Sequence, residues 1–175
     1  MASDEALMLD FQRGSREAFE ELFARYSAPL FGFFCRRLSS PDRAPDLTQE
    51  TFLAVIHSAV RYEPRSSVRS YLYGIAFNLL LAERRKQNRR PESALNGDGP
   101  SVQPSPDISV WVQQALAKLE ETEREILMLR EYEQLTYDEI ARLLRIPVNT
   151  VRTRLYRSRN ALKSLLQPQT ARESL

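Results

Sequence analysis

The sequence predicts an all-α chain: two small helical domains joined by a flexible linker. Apolar residues recur at spacings of three and four through most of the chain, and no segment alternates with period two. A seventeen-residue stretch, PESALNGDGPSVQPSPD (91–107), holds four prolines and two glycines without apolar periodicity, which is linker composition. The 175 residues suffice for one ordinary domain or two small ones, each near the lower limit for a self-sufficient core. The resulting bounds are 1–90, 91–107, 108–167 and a tail, 168–175.

In the first body, Asp4 to Gln12 reads as a short helix ended by Gly14, with Ser15 as the cap of the next. Phe19, Leu22, Phe23 and Tyr26 then follow at helical spacing, and Leu30, Phe31, Phe34 and Leu38 continue beyond a break or kink at Pro29. From Pro45 the chain runs DLTQETFLAVIHSAV, with Leu47, Phe52, Val55, Ile56 and Ala59 expected inward. Asp46, Gln49 and Glu50 stand at i, i+3 and i+4 on the other side, a compact acidic and amide patch. A loop, RYEPRSSVRS, precedes a helix expected from about Tyr71, with Leu72, Ile75, Ala76 and Leu79 inward. It ends in ERRKQNRR, five bases in eight residues. That run fits a phosphate-tracking surface, and it fits equally a solvated helix end whose cations complement the dipole.

In the second body, Val112, Leu116 and Leu119 mark one helix, and Ile126, Leu127 and Leu129 another, opened by a capping box at Thr122 and Glu125. Thr136 and Glu139 form a second capping box, starting a helix whose apolar face is Ile140, Leu143 and Leu144; small Ala141 allows a close crossing. Arg145 and Ile146 make a tight turn, and Pro147 begins the next helix. Arg145 stands where glycine is common in such turns, at a cost of about 1 kcal/mol. On the last helix Val148, Val151, Leu155 and Leu162 share a narrow core sector, and Asn149, Arg152, Thr153, Tyr156 and Arg157 lie opposite. From Arg142 to Lys163 there are seven basic residues and no acidic one. A helix, a short turn and a basic helix with a polar outer face is the helix-turn-helix pattern, whose second helix reads the major groove of DNA.

The net charge of +2 alone says nothing about partners, but its distribution does. Residues 83–90 carry +4 and 142–163 carry +7, separated by 91–141 at −8, so two positive patches offer two separate contacts to an acidic polymer. The same pattern also fits a helical bundle with no ligand. Catalysis finds little support: His57 is the sole histidine, Cys35 the sole cysteine, and no Gly-rich phosphate loop or metal-spaced cluster appears, so neither enzyme nor cofactor is expected. No stretch approaches the ~20 apolar residues of a membrane span. The acidic start, MASDEALMLD, is no secretory signal, so a cytoplasmic protein without membrane insertion is expected.

In their order and spacing, FEELFARYSAPL, DLTQETFLAV, SYLYGIAFNLL and TYDEIARLLRIPVNTVRTRLYRSRNAL resemble the extracytoplasmic-function sigma factors of bacterial RNA polymerase, reduced to sigma domains two and four. The resemblance implies that Asp46, Gln49 and Glu50 dock on the clamp helices of core RNA polymerase. It implies that the loop Arg65–Ser70 and the following helix capture the unpaired non-template strand of the minus-ten element, through Ser66, Arg69, Asn78, Arg84 and Arg85. Asn149, Arg152, Thr153, Tyr156 and Arg157 would read the minus-thirty-five element, and Arg154 would hold a phosphate or a neighbouring carboxylate. The linker would thread the polymerase toward its cleft. Tyr71 stands where the family commonly has tryptophan, Glu120 replaces a frequent proline, and Pro45 enters the docking helix early. The implied partners are core RNA polymerase, promoter DNA and an anti-sigma factor that no residue here identifies. A free-standing helix-turn-helix regulator is the rival reading.

Overall fold

The computed structural model describes residues 1–89 and 110–167. The expected linker, 91–107, and tail, 168–175, lie outside the described residues. All regular structure among the described residues is helical, in two compact units within 1–105 and 106–175.

The first unit opens with α1 (Asp4–Gln12), whose N-cap Ser3 accepts from the Ala6 amide at 3.1 Å. Gly14, at φ 99°, takes the left-handed conformation that lets the chain turn directly into Ser15, the cap of α2 (Arg16–Cys35). Of the expected break or kink at Pro29, the break does not occur: α2 is one helix from Arg16 to Cys35 with Pro29 inside it. A mid-helix proline costs about 3 kcal/mol or more. Tyr26, Leu30, Phe33 and Phe34 flank it and are almost wholly buried, and that packing keeps the helix whole. The sector is rotated from the expected one. Phe33 is inside, whereas Phe23 and Phe31 are 45% and 43% exposed, because the unit covers only one side of the helix.

A 3-10 turn, Pro41–Arg43, leads into α3 (Ala44–Ser58). Leu47, Phe52, Val55 and, just past its end, Ala59 are buried as expected; Ile56 is half-exposed instead, and Thr48 and Thr51 turn inward by donating their hydroxyls to the carbonyls four residues earlier. After a second 3-10 turn, Ala59–Arg61, and a short loop, α4 spans Val68–Asn88. It begins three residues before the expected Tyr71 because Ser67 caps it, accepting from the Ser70 amide at 3.0 Å. Leu72 and Ala76 are buried as expected, but Tyr73, Phe77 and Leu80 complete the core face, while Ile75 and Leu79 lie at its half-buried margin.

The second unit packs α5 (Val110–Ala117), α6 (Glu121–Glu131), α7 (Tyr137–Leu144) and α8 (Val148–Leu166). Leu116, Leu119, Ile126, Leu127 and Leu129 are buried, while Val112 is half-buried. The box at Thr122 and Glu125 does not form. Glu120 caps α6 instead, accepting from the Glu123 amide at 3.1 Å, so the helix starts one residue before Thr122 and leaves it no cap position. Those amide hydrogen bonds, with Thr122's first, hold the Glu120 carboxyl below the ordinary carboxylate range. The box on α7 does form: Thr136 Oγ1 accepts from the Glu139 amide at 3.2 Å and the Glu139 carboxylate accepts from the Thr136 amide at 2.8 Å. Arg145 ends α7 in the left-handed region at φ 55°.

Candidate nucleic-acid interface

α8 is held by its inner face. Val151 and Leu155 are buried, and so is Ser158, whose hydroxyl donates to the Arg154 carbonyl at 2.8 Å. Val148 and Leu162 lie at the half-buried edge of the expected sector. This fixes the rotation of the helix and leaves Asn149, Arg152, Thr153, Tyr156 and Arg157 all exposed, with Tyr156 at 70%. Asn149 organises the first turns: its side-chain oxygen accepts from Arg152 Nη1 at 3.0 Å, and its carbonyl accepts from the Thr153 hydroxyl at 2.9 Å. Arg154 points instead toward the Glu120 carboxylate at 3.6 Å, and Arg159 pairs with Glu131 at 2.6 Å. A cleft on the outer face is lined by Asn149, Thr150, Thr153, Arg154 and Arg157. No side chain caps α8, and the positive end of its dipole favours a phosphate near Val148 and Asn149. An arginine on such a face can pair with the acceptor edge of guanine, a contact worth ~1–3 kcal/mol of discrimination.

On α4 the outer face, opposite Leu72, Ala76 and Glu83, carries Tyr71, Asn78, Ala82, Arg85 and Arg89 at helical spacing. Asn78 and Arg85 are therefore brought together, and a cleft lined by Ala82, Arg85, Lys86 and Arg89 extends this basic surface. Arg69 and Arg84 are not on that face. The Arg69 guanidinium lies 5.8 Å from the Tyr26 ring centroid, and Arg84 donates to the Arg37 carbonyl at 3.2 Å. Ser66 sits half-buried before the helix, its carbonyl accepting from the Tyr62 hydroxyl at 2.7 Å. Tyr71 packs its ring 5.2 Å from that of Tyr62 and shares a hydroxyl hydrogen bond with Ser58. The chain from Tyr62 to Tyr71 is thus a braced turn rather than a slack connection.

Asp46, Gln49 and Glu50 are exposed together on α3, as their spacing requires. Missing from the sequence reading is Arg43, which pairs with Asp46 at 2.7 Å, reaches Glu50 at 3.6 Å and donates to Glu83 of α4 at 3.3 Å. The hydrogen bond to Glu83 raises the Arg43 pKa, and burial opposes it only in part. Its position three residues before Asp46 was the available signal. Leu53 and Ile56 are also exposed beyond the acidic patch, so the face continues as an apolar strip. Among the described residues no cluster of metal-ligating side chains occurs, and no helix is long and apolar enough to cross a membrane.

The family Sigma-70 region 2 matches residues 22–90, and Sigma-70, region 4 matches 109–162. The RNA polymerase sigma-H factor of Pseudomonas aeruginosa is 31% identical, over 94% of each chain. The ECF RNA polymerase sigma-E factor of Haemophilus influenzae is 31% identical, over 95% of this chain and 96% of that one. The sigma factor RpoE of Bartonella quintana, solved with the anti-sigma factor NepR, shares the fold with a TM-score of 0.72 at 24% identity, covering 86% of this chain and 98% of that one. With both sigma-70 regions matched in order and relatives alike along nearly their whole length, the chain belongs to the sigma-70 family, as an extracytoplasmic-function sigma factor that directs bacterial RNA polymerase to promoters.

Proposed function

We propose that the two units divide the work of initiation residue by residue. Residues 1–90 act as sigma domain two, 108–167 as sigma domain four, 91–107 as the linker between them and 168–175 as a tail. Asp46, Gln49 and Glu50 dock on core polymerase, where an acidic, amide-bearing face meets basic side chains of the clamp helices and fixes register. Asn78 and Arg85 receive the unpaired minus-ten strand on the outer face of α4, Ser66 lies at its entrance, and Arg69 and Arg84, which lie off that face, contribute positive charge to the same unit. Melting of this kind needs bases held out of the stack and a basic track for their backbone. Arg152, Thr153, Tyr156 and Arg157, oriented by Asn149, read the minus-thirty-five element.

The observation that carries this reading is the outer face of α8: five polar and basic side chains stand in solvent while Val151 and Leu155 fix the helix from inside. The protein acts by binding and orienting rather than by covalent catalysis, and it works in the cytoplasm. Because the Bartonella quintana relative was solved with an anti-sigma factor, an inhibitory partner of that class is proposed here too.

Run-off transcription from a genomic promoter library, with core polymerase added, tests the whole reading. Specific initiation should require both proteins. Protection of an operator by the isolated chain, with initiation by core polymerase unchanged, would establish a free-standing regulator instead.

A further inference from the structure

Helix α1 precedes the segment matched to sigma-70 region 2, which begins at residue 22, yet it holds both ends of the loop that leads into α4. Gln12 Nε2 donates to the Ala59 carbonyl at 2.6 Å and to the Tyr62 carbonyl at 2.9 Å, which uses both hydrogens of its amide. Those carbonyls bracket the 3-10 turn from which the chain leaves α3. Two helical turns earlier on α1, the Glu5 carboxylate accepts from the Val68 amide at 3.2 Å, one of the first-turn donors of α4 that has no partner within the helix. Between these anchors Tyr62 is buried and its hydroxyl spans the loop to the Ser66 carbonyl, while Glu63, Pro64 and Arg65 stand exposed at the tip.

We infer that Gln12 and Glu5 are positioning residues for minus-ten capture: α1 presets the separation of the two loop ends, so an unpaired base meets a formed site instead of ordering one. The inference rests on the reading of Ser66 and Asn78 as minus-ten contacts. Neither α1 residue touches DNA. Each acts through the backbone it holds, and a loop fixed before binding has less freedom to lose on binding.

The test uses holoenzyme assembled from the full chain and core polymerase. A fluorescent single-stranded oligonucleotide carries the non-template minus-ten sequence of a promoter it initiates from. Gln12→Glu removes both donors at nearly constant shape and should weaken oligonucleotide binding about tenfold, with affinity for core polymerase unchanged. Gln12→Lys restores N–H donors at similar reach and should recover most of that loss. Glu5→Ala, a second and independent variant, should weaken binding about threefold, again without loss of core affinity. Wild-type oligonucleotide binding by Gln12→Glu overturns the inference. So does a parallel loss of core affinity in Gln12→Glu that Gln12→Lys does not reverse, since that is general destabilisation. Asn78→Ala separates the two layers: if it weakens binding while Gln12→Glu does not, the brace alone falls. If neither variant changes binding, the minus-ten reading falls with it.

Discussion

The two units build their working surfaces in different ways. In the second, the proposed reading face belongs to one helix: Asn149 holds Arg152 and Thr153 within its own first turns, and α8 needs its neighbours only to fix its rotation through Val151, Leu155 and Ser158. In the first, the working side chains are held from outside their own element. Arg43 grips Asp46 and Glu50 while reaching α4 at Glu83, Arg84 is tied to the Arg37 carbonyl, and α1 pins the loop before α4. A face written in one helix should respond only to changes on that face. A face assembled from several should respond to residues that never touch a partner.

The largest effect that sharpens this contrast is expected at the proposed docking face. Replacing Asp46, Gln49 and Glu50 with alanine should cost about 2–5 kcal/mol of core-polymerase affinity, measured by titration of labelled protein, because basic partners would be left buried and unpaired. Undiminished affinity would remove the docking role. Next is Arg152→Ala, which should lose ~1–3 kcal/mol of preference at a single upstream base pair. Glu120→Ala, which frees Arg154 and removes the cap of α6, should lower the second unit's stability but leave every base preference as it was. A comparable cost, about 1–3 kcal/mol but in folding stability, is expected for Arg43→Gln. That change leaves the nearly buried Glu83 carboxylate with the Gln87 amide at 3.3 Å in place of a guanidinium. Hydrogen exchange should show the loss in α3 and α4 and nowhere in the second unit. The smallest effect is Arg145→Gly: relieving the left-handed arginine at φ 55° should raise the second unit's stability by about 1 kcal/mol with base preferences unchanged.

The same contrast explains what was legible in the sequence. The Thr136–Glu139 box, the helix it opens and the outer face of α8 are local patterns at spacings of three and four, and the structure contains them as read. The exposure of Asp46, Gln49 and Glu50 is legible for that reason too, while the guanidinium lying across two of them comes from Arg43, outside the patch itself. Gln12 meets Ala59 and Tyr62 across 47 and 50 residues, and Glu5 meets Val68 across 63, so no window of sequence shows the brace on the loop. At Pro29 local propensity favours a break or kink, and tertiary packing of Leu30, Phe33 and Phe34 keeps the helix continuous. The box at Thr122 does not form because the cap lies two residues earlier, at the Glu120 carboxylate. Arg69 and Arg84 were grouped with Asn78 and Arg85 by resemblance, but their angular positions on α4 turn them toward Tyr26 and Arg37.

The claim that two separately built faces share one promoter is tested most directly by base preferences at initiation. Reconstituted holoenzyme should be run on a promoter library randomised over both elements, with wild type, Arg152→Ala and Asn78→Ala compared. Arg152→Ala should alter preference only in the upstream element and Asn78→Ala only in the downstream one. Changes by either variant in both elements, or in neither, would contradict the division.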